Sequence, residues 1–474
     1  MPSMGRRTFM SATALGVSTL ASGQKRRQPN LLFVLADQWR SSAFGFGSDA
    51  IVRTPHFDRL AKQGANWRRA YAANPVCTPN RACILTGRYS HQTGMIKNDL
   101  QLPPTETCWP QVFSDAGYAT HYVGKWHLDG TPKPGFVPPG WRRRGFATFE
   151  GFNRGHQYHK PWGFDDQGHS LEELAGSDLR DYYEPAAQTD SAIGFMRRNQ
   201  DRPFACYLSW GPPHTPFRPP RDFRRYTAEE IALRPNVPDD HSEQARKDLA
   251  GYYGLCESLD HQIGRIASFL DESGLSENTL VVFSSDHGEL AGSHGKYRKG
   301  EPEDESLSVP LLMRLPGRIP AGIELQTLIN SVDLMPTMLA LCGLPEQGSC
   351  AGRDLSGAVL PDRETPHVES VYCEGRVSNP SNAQPNPTNP DPRPWRSIVT
   401  ARHKLTVRGN HEAVNSLFDL QEDPYEMRNL ADVSEANSIG GDLLAELRAW
   451  GTVTEDSFPA RPPAAKVEYT LEGD

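Results

Sequence analysis

The 474-residue chain lacks the features that would mark it as a membrane protein or a nucleic-acid-binding protein. No apolar stretch approaches the length needed to span a bilayer, so no integral membrane anchor is expected. Positive charge is not in excess, because 50 Lys and Arg stand against 58 Asp and Glu, for a net charge of −8. No nucleic-acid partner is therefore expected from the overall charge.

Cysteine is also scarce. The eight cysteines are scattered along the chain without the Cys-x-x-Cys pairs that are typical of metal sites. Cys342 and Cys350 lie close together in sequence, but spacing alone does not decide whether they form a disulfide. We expect most of the eight to be buried thiols.

The remaining composition is that of an ordinary globular protein. Hydrophobic residues make up 37% of the chain and 41 glycines add to them. The length suits one large α/β domain or about two or three small ones. Forty prolines, together with the glycines, indicate many loops.

The first 28 residues resemble an export signal. A pair of arginines, Arg6 and Arg7, precedes a mildly apolar run over residues 11–20 that is rich in Ala, Ser and Thr. This pattern is similar to a bacterial twin-arginine signal, the alternative being a disordered basic tail. We therefore separate residues 1–28 from the fold and expect a periplasmic or secreted protein.

Four apolar runs of strand length each end in polar residues. Residues 30–36 precede Asp37 and Gln38, 119–123 precede Lys125 and His127, 204–210 precede His214, and 279–285 precede Asp286 and His287. Continuous apolar runs suit parallel strands that are buried on both faces. Ligands of open α/β sheets bind outside the carboxyl ends of the strands, so we expect these polar residues to meet at one site. Each of them taken alone could be a turn or capping residue.

Segments between these runs predict helices that flank the sheet. Thr54-Pro55 opens one helix that Gly64 closes, and residues 249–270 carry apolar residues three and four positions apart. A third helix is predicted for residues 332–342. Together these elements predict an α/β fold with a large, mostly parallel central sheet flanked by helices.

The composition changes towards the C-terminus. Residues 378–394 are rich in Asn and Pro and cannot form a helix or a central strand, so we expect an exposed loop. Beyond it, residues 395–401 and 403–408 resemble hairpin strands, and residues 439–451 resemble a helix. We therefore predict a large domain over residues 29–365 and a small C-terminal α+β subdomain with an antiparallel sheet over residues 366–474.

The most informative segment is residues 77–88, which read Cys-Thr-Pro-Asn-Arg-Ala-Cys-Ile-Leu-Thr-Gly-Arg. Thr78 is a good N-cap and Pro79 suits the first helical position, which predicts that a helix begins directly after Cys77. The helix N-terminus and the guanidinium of Arg81 would favour an anion beside the residue-77 side chain. Taken alone, Cys77 could also be an ordinary buried cysteine in front of a helix.

This signature resembles that of the formylglycine-dependent sulfatases of the alkaline-phosphatase-like superfamily. Further segments that resemble the family pattern follow in order along the chain: Asp37-Gln38, Gly124-Lys-Trp-His-Leu128, Pro213-His-Thr-Pro216, Ser285-Asp-His-Gly-Glu289, His294-Gly295, Lys299-Gly300 and 417–430. The resemblance covers most of the chain between residues 30 and 430. It implies an alkaline-phosphatase-like fold and a sulfatase that hydrolyses sulfate esters.

The resemblance also implies a divalent cation, for which Ca²⁺ is the first expectation. The implied metal ligands are Asp37, Gln38, Asp286 and His287, together with the modified Cys77. A His ligand is unusual for Ca²⁺, which prefers oxygen, so Mg²⁺ and Mn²⁺ remain open.

By the same resemblance, a formylglycine-generating maturation enzyme oxidises Cys77 to formylglycine, which is then hydrated. One hydroxyl of the gem-diol attacks sulfur and expels the alcohol, and the resulting sulfo-enzyme hemiacetal eliminates sulfate. The implied catalytic residues around this group are Arg81, Lys125, His127, His214 and Lys299.

Each of these residues has an implied role. Lys125, Lys299 and His214 would hold sulfate oxygens and neutralise developing charge. His214 or Lys299 would protonate the leaving alcohol, and His127 would take the proton of the hemiacetal. Arg81 would orient the gem-diol and bind the carboxylates beside the metal.

The substrate is less clearly indicated. A long insert after His127 is rich in Pro, Gly, Arg, His and aromatic residues, including Arg142–Arg144 and His156–Trp162, and these could bind sugar or form a structural loop. Its run Val-Pro-Pro-Gly-Trp at residues 137–141 is similar to one in N-acetylglucosamine-6-sulfatases. This favours a sulfated carbohydrate substrate, with a weak preference for 6-O-sulfated N-acetylglucosamine glycans.

Two alternatives remain open at this point. The first is a phosphonate monoester or phosphodiester hydrolase of the same superfamily, since that group shares formylglycine and a similar Asp-Gln opening. The second is a non-catalytic glycan-binding protein in which Cys77 stays unmodified.

Overall fold

The computed structural model describes residues 28–49, 51–175, 181–375, 393–409 and 414–459. The export-signal interpretation of residues 1–28 concerns residues that, apart from residue 28, lie outside the described ones, and so do residues 378–392 of the Asn/Pro-rich segment 378–394. The strands are β1 (Asn30–Asp37), β2 (Ala65–Trp67), β3 (Ala70–Tyr71), β4 (Ala119–Lys125), β5 (Thr148–Phe152), β6 (Phe204–Pro213), β7 (Thr279–Ser285), β8 (Ser308–Val309), β9 (Leu311–Arg314), β10 (Ile323–Leu325), β11 (Ile329–Asn330), β12 (Ser370–Gly375), β13 (Trp395–Thr400), β14 (His403–Arg408) and β15 (Val414–Asp419). The helices are α1 (Pro55–Gln63), α2 (Cys77–Thr86), α3 (Ser90–Thr93), α4 (Trp109–Asp115), α5 (Leu171–Leu174), α6 (Glu184–Arg198), α7 (Ser242–Glu272), α8 (Asp304–Leu307), α9 (Leu334–Cys342) and α10 (Asn437–Val453).

Eight strands form the central sheet, in the order β10-β2-β9-β7-β1-β6-β4-β5. Strands β7, β1, β6, β4 and β5 are mutually parallel, as are β10 and β2. Only β9 runs antiparallel to its neighbours β7 and β2 within this sheet. The predicted α/β fold with a large, mostly parallel sheet is therefore confirmed.

Strand β1 lies between two hydrophobic cores, and all of its residues are buried. Successive side chains of a strand point to opposite faces of the sheet. Leu31, Phe33 and Leu35 therefore pack with α2, α4 and α9 on one face, whereas Leu32 and Val34 pack with α6 and α7 on the other. This explains why the run is apolar without alternation.

The predicted helices are present, with some differences in their bounds. Helix α1 lies between Thr54 and Gly64 as expected. Helix α7 begins at Ser242, seven residues before the predicted start, because its first two turns are mostly polar and carry no continuous apolar stripe. The third predicted helix begins as a 3-10 turn at Ser331–Asp333 and continues as α9.

Two smaller sheets accompany the central one. A three-stranded sheet has the order β11-β3-β8, and a four-stranded antiparallel sheet has the order β12-β13-β14-β15. The hairpin predicted for β13 and β14 is confirmed. Helix α10 packs against the four-stranded sheet, so a small C-terminal α+β unit exists, whereas its boundary at residue 366 stays a prediction.

A buried group of four charged residues, the His91 cluster, joins α3 to this C-terminal unit. Its members are His91, Glu374, Arg396 and Asp456. The His91 Nδ1 atom lies 3.0 Å from Glu374 Oε2, and the Arg396 guanidinium contacts Asp456 through Nε and through Nη2, the latter at 3.1 Å from Oδ1. The two cations and two carboxylates balance each other, which makes burial of all four tolerable.

The eight cysteines all lie within the described residues, and all are free thiols. Seven are buried and Cys350 is half-buried, so the expectation of mostly buried thiols is confirmed. Among the described residues, no helix combines the length and apolar character that a membrane span requires.

Candidate active site

The carboxyl ends of β7, β1, β6 and β4 meet at one edge of the central sheet, because these strands are parallel neighbours. Asp37 ends β1 and Lys125 ends β4, while Asp286 directly follows β7. His214 follows β6, which ends at Pro213. The first three side chains are fully buried, and His214 is half-buried.

Cys77 reaches this edge as the first residue of α2. The helix includes Cys77 instead of beginning after it, and Val76 stands at the N-cap position, two residues before the predicted cap Thr78. The Thr78 hydroxyl instead donates to the carbonyl of His127 at 2.8 Å, 49 residues further along the chain. The predicted Thr78 cap, with Pro79 at the first helical position, was therefore wrong, because a tertiary contact claims the hydroxyl.

The Cys77 sulfur lies among charged groups. Its Sγ atom is 3.3 Å from His287 Nε2 and 3.8 Å from Asp37 Oδ1. Burial raises the pKa of the thiol, and so does the Asp37 carboxylate. The net direction is nevertheless well below the ordinary value, because three cations face the sulfur: Lys125, Lys299 and His287. Residue 77 therefore lies in a pocket that favours negative charge on its side chain.

Arg81 lies one turn further along α2 and connects three strand ends. Its Nε donates to Asp286 Oδ2 at 2.9 Å and its Nη2 to Asp37 Oδ2 at 3.2 Å. Its Nη1 donates to the Lys125 carbonyl and to Ser209 Oγ, both at 2.8 Å. A planar guanidinium can make these contacts simultaneously and a lysine cannot. Arg81 thus fixes the spacing of the two carboxylates.

A basic wall, formed by Lys125, His156, His214 and Lys299, lies beside the sulfur. The Lys125 ammonium pairs with Asp37 Oδ2 and lies 3.4 Å from His156 Nε2. The imidazoles of His156 and His214 stack with centroids 3.7 Å apart. Burial, together with the neighbouring cations, holds the pKa of both histidines well below the ordinary value. A concentration of donors and cations around a reactive side chain is suited to a tetrahedral oxyanion.

Four side chains form a compact donor cage: Asp37, Cys77, Asp286 and His287. One ligand atom of each lies within 4.8 Å of every other. The Oδ2 atoms of the two carboxylates are occupied by Arg81 and Lys125, so their Oδ1 atoms face the cage. Those Oδ1 atoms lie 3.4 and 3.6 Å from His287 Nε2.

This donor set fits a divalent cation. The His287 Nδ1 atom lies 2.9 Å from the carbonyl of Gly288, which can only accept, so Nδ1 carries a hydrogen. A bound metal ion would displace the proton on Nε2, and the ring would then present its Nε2 lone pair to the cage. Two carboxylates suit Ca²⁺, Mg²⁺ or Mn²⁺, and the imidazole nitrogen weakens the preference for Ca²⁺.

Gln38 lies beside the cage and is held by Glu289. Gln38 has a left-handed backbone (φ 71°), and its Nε2 donates to Glu289 Oε2 at 2.5 Å. Its Oε1 accepts from Lys299 Nζ at 2.8 Å. The other Glu289 oxygen, Oε1, accepts from the backbone N–H groups of Ala291 and Arg298 at 2.8 and 2.7 Å. Since a carboxylate can only accept, Glu289 determines which way the Gln38 amide faces.

His127 lies at the margin of this arrangement. Its Nε2 atom is 3.0 Å from Asp99 Oδ1, and Asp99 in turn pairs with Arg154 at 2.7 Å. Its buried Nδ1 atom has no hydrogen-bond partner among the described residues. A carboxylate that holds one ring nitrogen leaves the other available for proton exchange.

Sequence reasoning did not assign several residues of the site. His156 was grouped with a substrate insert, Asp99 was not considered, and Glu289 was noted only as part of a motif. By contrast, Arg142 and Arg143 of the insert pair with Asp129 and Asp166 and so belong to its internal structure. Only the structure shows which residues of the insert lie beside the site and which pair within the insert itself.

Comparison with known proteins gives matches over most of the chain. The chain matches the Sulfatase family over residues 29–344, and it matches the family described as N-sulphoglucosamine sulphohydrolase, C-terminal, over residues 292–451. It is 34% identical over 453 residues to an ulvan-active sulfatase of Formosa agariphila, covering 94% of this chain and 85% of that protein. It is 24% identical over 547 residues to an N-acetylglucosamine-6-O-sulfatase of Bacteroides thetaiotaomicron, covering 98% and 93%.

Solved structures share the fold. A candidate sulfatase, YidJ, from Bacteroides fragilis superimposes with a TM-score of 0.81 at 27% identity, covering 93% of this chain and 98% of that one. A phosphonate monoester hydrolase from Silicibacter pomeroyi gives a TM-score of 0.74 at 23% identity, covering 91% and 96%. The second similarity concerns the fold alone.

Proposed function

The chain belongs to the sulfatase family and is a sulfuric ester hydrolase, and on this premise we propose that it releases sulfate from a carbohydrate by means of a formylglycine formed from Cys77. The observation that carries this proposal is the position of Cys77 Sγ. It lies at the start of α2, 3.3 Å from His287 Nε2 and 3.8 Å from Asp37 Oδ1, with the basic wall beside it. An ordinary buried cysteine would have apolar neighbours.

Two further groups would complete this site. A formylglycine-generating maturation enzyme would provide the first, formylglycine, and the solvent would provide the second, a divalent cation. Formylglycine supplies a hydrated aldehyde, which is a nucleophile that a cysteine cannot provide. A divalent cation, Ca²⁺ or alternatively Mg²⁺ or Mn²⁺, supplies Lewis-acid chemistry and would be held by Asp37, Gln38, Asp286 and His287.

The residues of the chain then bind and orient the sulfate ester. Lys125 and Lys299 hold its oxygens and neutralise the charge that develops on them, whereas the neutral ring of His214 lies beside them and donates only to the Thr215 carbonyl. Arg81 keeps the two carboxylates and residue 77 in register through its four contacts. Overall, water and the ester give an alcohol, sulfate and one proton.

Lys299 is the proton donor to the leaving alcohol in this proposal. Burial and the Lys299 cation hold the pKa of His214 well below its ordinary value. The His214 Nδ1 atom lies 2.8 Å from the Thr215 carbonyl, so the neutral ring has no proton on Nε2. The opposite proton transfer, away from residue 77, is assigned to His127, which Asp99 orients.

The proposed substrate is a sulfated glycan, with 6-O-sulfated N-acetylglucosamine as the first candidate. The Val-Pro-Pro-Gly-Trp run at residues 137–141 and the relative named N-acetylglucosamine-6-O-sulfatase support this choice. A desulfation screen over defined saccharides with sulfate at known positions tests it. Release of sulfate only from other positions would refute the 6-O preference.

Mass analysis of the peptide that contains residue 77 tests the mechanism. We expect an aldehyde, or its hydrate, in protein produced together with a maturation enzyme. Cys77→Ala should abolish sulfate release while leaving the fold intact. Active enzyme with an unmodified thiol, or an active Cys77→Ala variant, would contradict the proposal.

A phosphonate monoester or phosphodiester hydrolase is the second candidate. The structural similarity to a phosphonate monoester hydrolase favours it, because the same basic wall would accept either monoanionic ester. Initial rates on an aryl sulfate and an aryl phosphodiester, measured on the same preparation, distinguish the two. A higher kcat/KM for the phosphodiester would overturn the sulfatase assignment.

We also propose the remaining organisation of the chain. Residues 1–28 would direct export to the periplasm or the medium, residues 29–365 would form the catalytic domain, and residues 366–474 would form the C-terminal subdomain. Expression of a reporter fused to residues 1–28, with Arg6 and Arg7 both replaced by Lys as control, tests the export signal.

A further inference from the structure

A cavity of about 370 Å³ adjoins the candidate active site on the Lys299 side. Its walls are the start of α7, the loop that carries Thr215 and Phe217, and the loop that carries Tyr297 and Arg298. Thr215 directly follows His214, and Arg298 directly precedes Lys299. A volume of this size is in the range of sites that bind small ligands, roughly 300–1,000 Å³. The cavity is therefore placed to receive a part of the substrate that extends from the sulfate.

The walls on α7 and on the Phe217 loop carry groups that suit a sugar. Phe217 is half-buried, with its ring perpendicular to that of Tyr252 at 5.7 Å, so it presents a rigid apolar surface. Gln244 and Asp248 lie one turn apart on α7, and Gln244 Nε2 donates to Asp248 Oδ1 at 2.9 Å. Their remaining oxygens can accept hydrogen bonds from hydroxyl groups.

Arg298 adds a cation to the opposite wall. Its backbone has a left-handed conformation (φ 67°), held by the N–H bond to Glu289 and by its carbonyl, which accepts from Leu290 N at 2.9 Å. The side chain is exposed, and within the described residues its guanidinium has neither an ion pair nor a hydrogen bond. An unpaired guanidinium beside an apolar wall is suited to a carboxylate or a sulfate group.

We propose that this cavity binds one further sugar unit of the glycan and that Arg298 pairs with an oxyanion on that unit, either a carboxylate or a second sulfate. This inference rests on the proposed hydrolysis of sulfated glycans. It makes Arg298 a determinant of specificity, because a contact to a remote part of the substrate favours one glycan over another.

The test compares Arg298→Ala with the unaltered enzyme on four substrates. One is an aryl sulfate, and three are sulfated disaccharides whose second unit carries a carboxylate, a second sulfate or no charge. Loss of one charge-assisted hydrogen bond predicts a fall in kcat/KM of about 10- to 100-fold on an anionic disaccharide, mainly through KM, relative to the fall on the aryl sulfate. Arg298→Lys should restore part of this loss. Arg53→Ala, an exposed arginine outside the cavity, is the matched control and should behave like the unaltered enzyme.

The pattern of losses decides the outcome. A selective loss on the disaccharide with a carboxylate, or on the one with a second sulfate, identifies which oxyanion is bound. Equal losses on all four substrates would show that Arg298 acts only through the position of Lys299, and no loss at all would also overturn the subsite. Failure of the unaltered enzyme to release sulfate from any of the four would refute the proposed function instead.

Discussion

Replacing Glu289 with Gln tests how the Gln38 amide is oriented. In Glu289→Gln, the side-chain oxygen must stay with the N–H groups of Ala291 and Arg298, because only an oxygen can accept from them. The new NH₂ group then faces Gln38 and forces its amide to turn over. The turned amide directs its own NH₂ group at the ammonium of Lys299, where an oxygen now accepts at 2.8 Å.

The size of the effect follows from these contacts. The site loses one hydrogen bond to a charged group, about 1.5–3 kcal/mol, and the Gln38 oxygen that is proposed to bind the cation. Changes in the partners of metal ligands typically lower metal affinity or activity by about 10- to 100-fold. We therefore expect Glu289→Gln to weaken Ca²⁺ binding by about that factor and to lower kcat/KM on an aryl sulfate.

Calorimetric titration of metal-free protein with Ca²⁺ measures the affinity independently of turnover. The decisive variant is the exchange of Gln38→Glu with Glu289→Gln, because Glu at position 38 accepts from the new amide and still offers an oxygen to Lys299. The exchange should bind Ca²⁺ more tightly than Glu289→Gln alone. Glu257→Gln, which alters a buried carboxylate on α7, serves as control. Unchanged Ca²⁺ affinity in Glu289→Gln, or an exchange weaker than both single variants, would refute the reasoning.

Three further outcomes are expected. Arg81→Lys keeps the charge but loses the planar guanidinium that contacts both carboxylates, so kcat on an aryl sulfate should fall by roughly 100-fold or more. Full activity would contradict the role of Arg81 in fixing the distance between these carboxylates. Burial raises the pKa of Glu184 from 4.5 to about 8, so the folded protein holds an extra proton and its free energy of unfolding falls, by up to about 5 kcal/mol, as pH rises through this window. When the free energy of unfolding is measured with denaturant at both ends of this pH range, it should depend less on pH in Glu184→Gln than in the unaltered protein. An equal pH dependence in the two proteins would argue against a neutral Glu184. Asp456→Asn removes the nearer of the two carboxylates that pair with buried Arg396 and should cost about 3 kcal/mol of unfolding free energy by urea titration, whereas exposed Asp442→Asn should change little.

The parallel core of the fold was predictable because its signal is local. A strand buried on both faces must be apolar at every position, as β1 is, and such a run is visible without a structure. The polar residues that end the strands were then placed together by topology alone. The start of α7 was not predictable in this way, because its exposed first turns share no apolar stripe.

Contacts between distant parts of the chain account for the rest. The hydroxyl of Thr78 could cap its own helix or reach the His127 carbonyl, and only the packed structure decides between them. Asp99 and His156 are ordinary residues in sequence and acquire a possible role only beside His127 and Lys125. Contacts between residues so far apart in the chain leave no pattern in the sequence around either residue.

The complete burial of helix α2 has a consequence for how the protein is made. All ten of its residues are buried, and Cys77 is only 2% exposed. The proposed maturation enzyme would have to enclose the residue-77 side chain in its own active site, so it would have to reach the chain before α2 packs against the sheet. Conversion and folding would then compete in time, and a molecule that folds first would keep its thiol permanently. The active fraction of a preparation would thus equal the fraction of molecules that are converted before they fold. Later addition of the maturation enzyme to the folded protein should not raise this fraction.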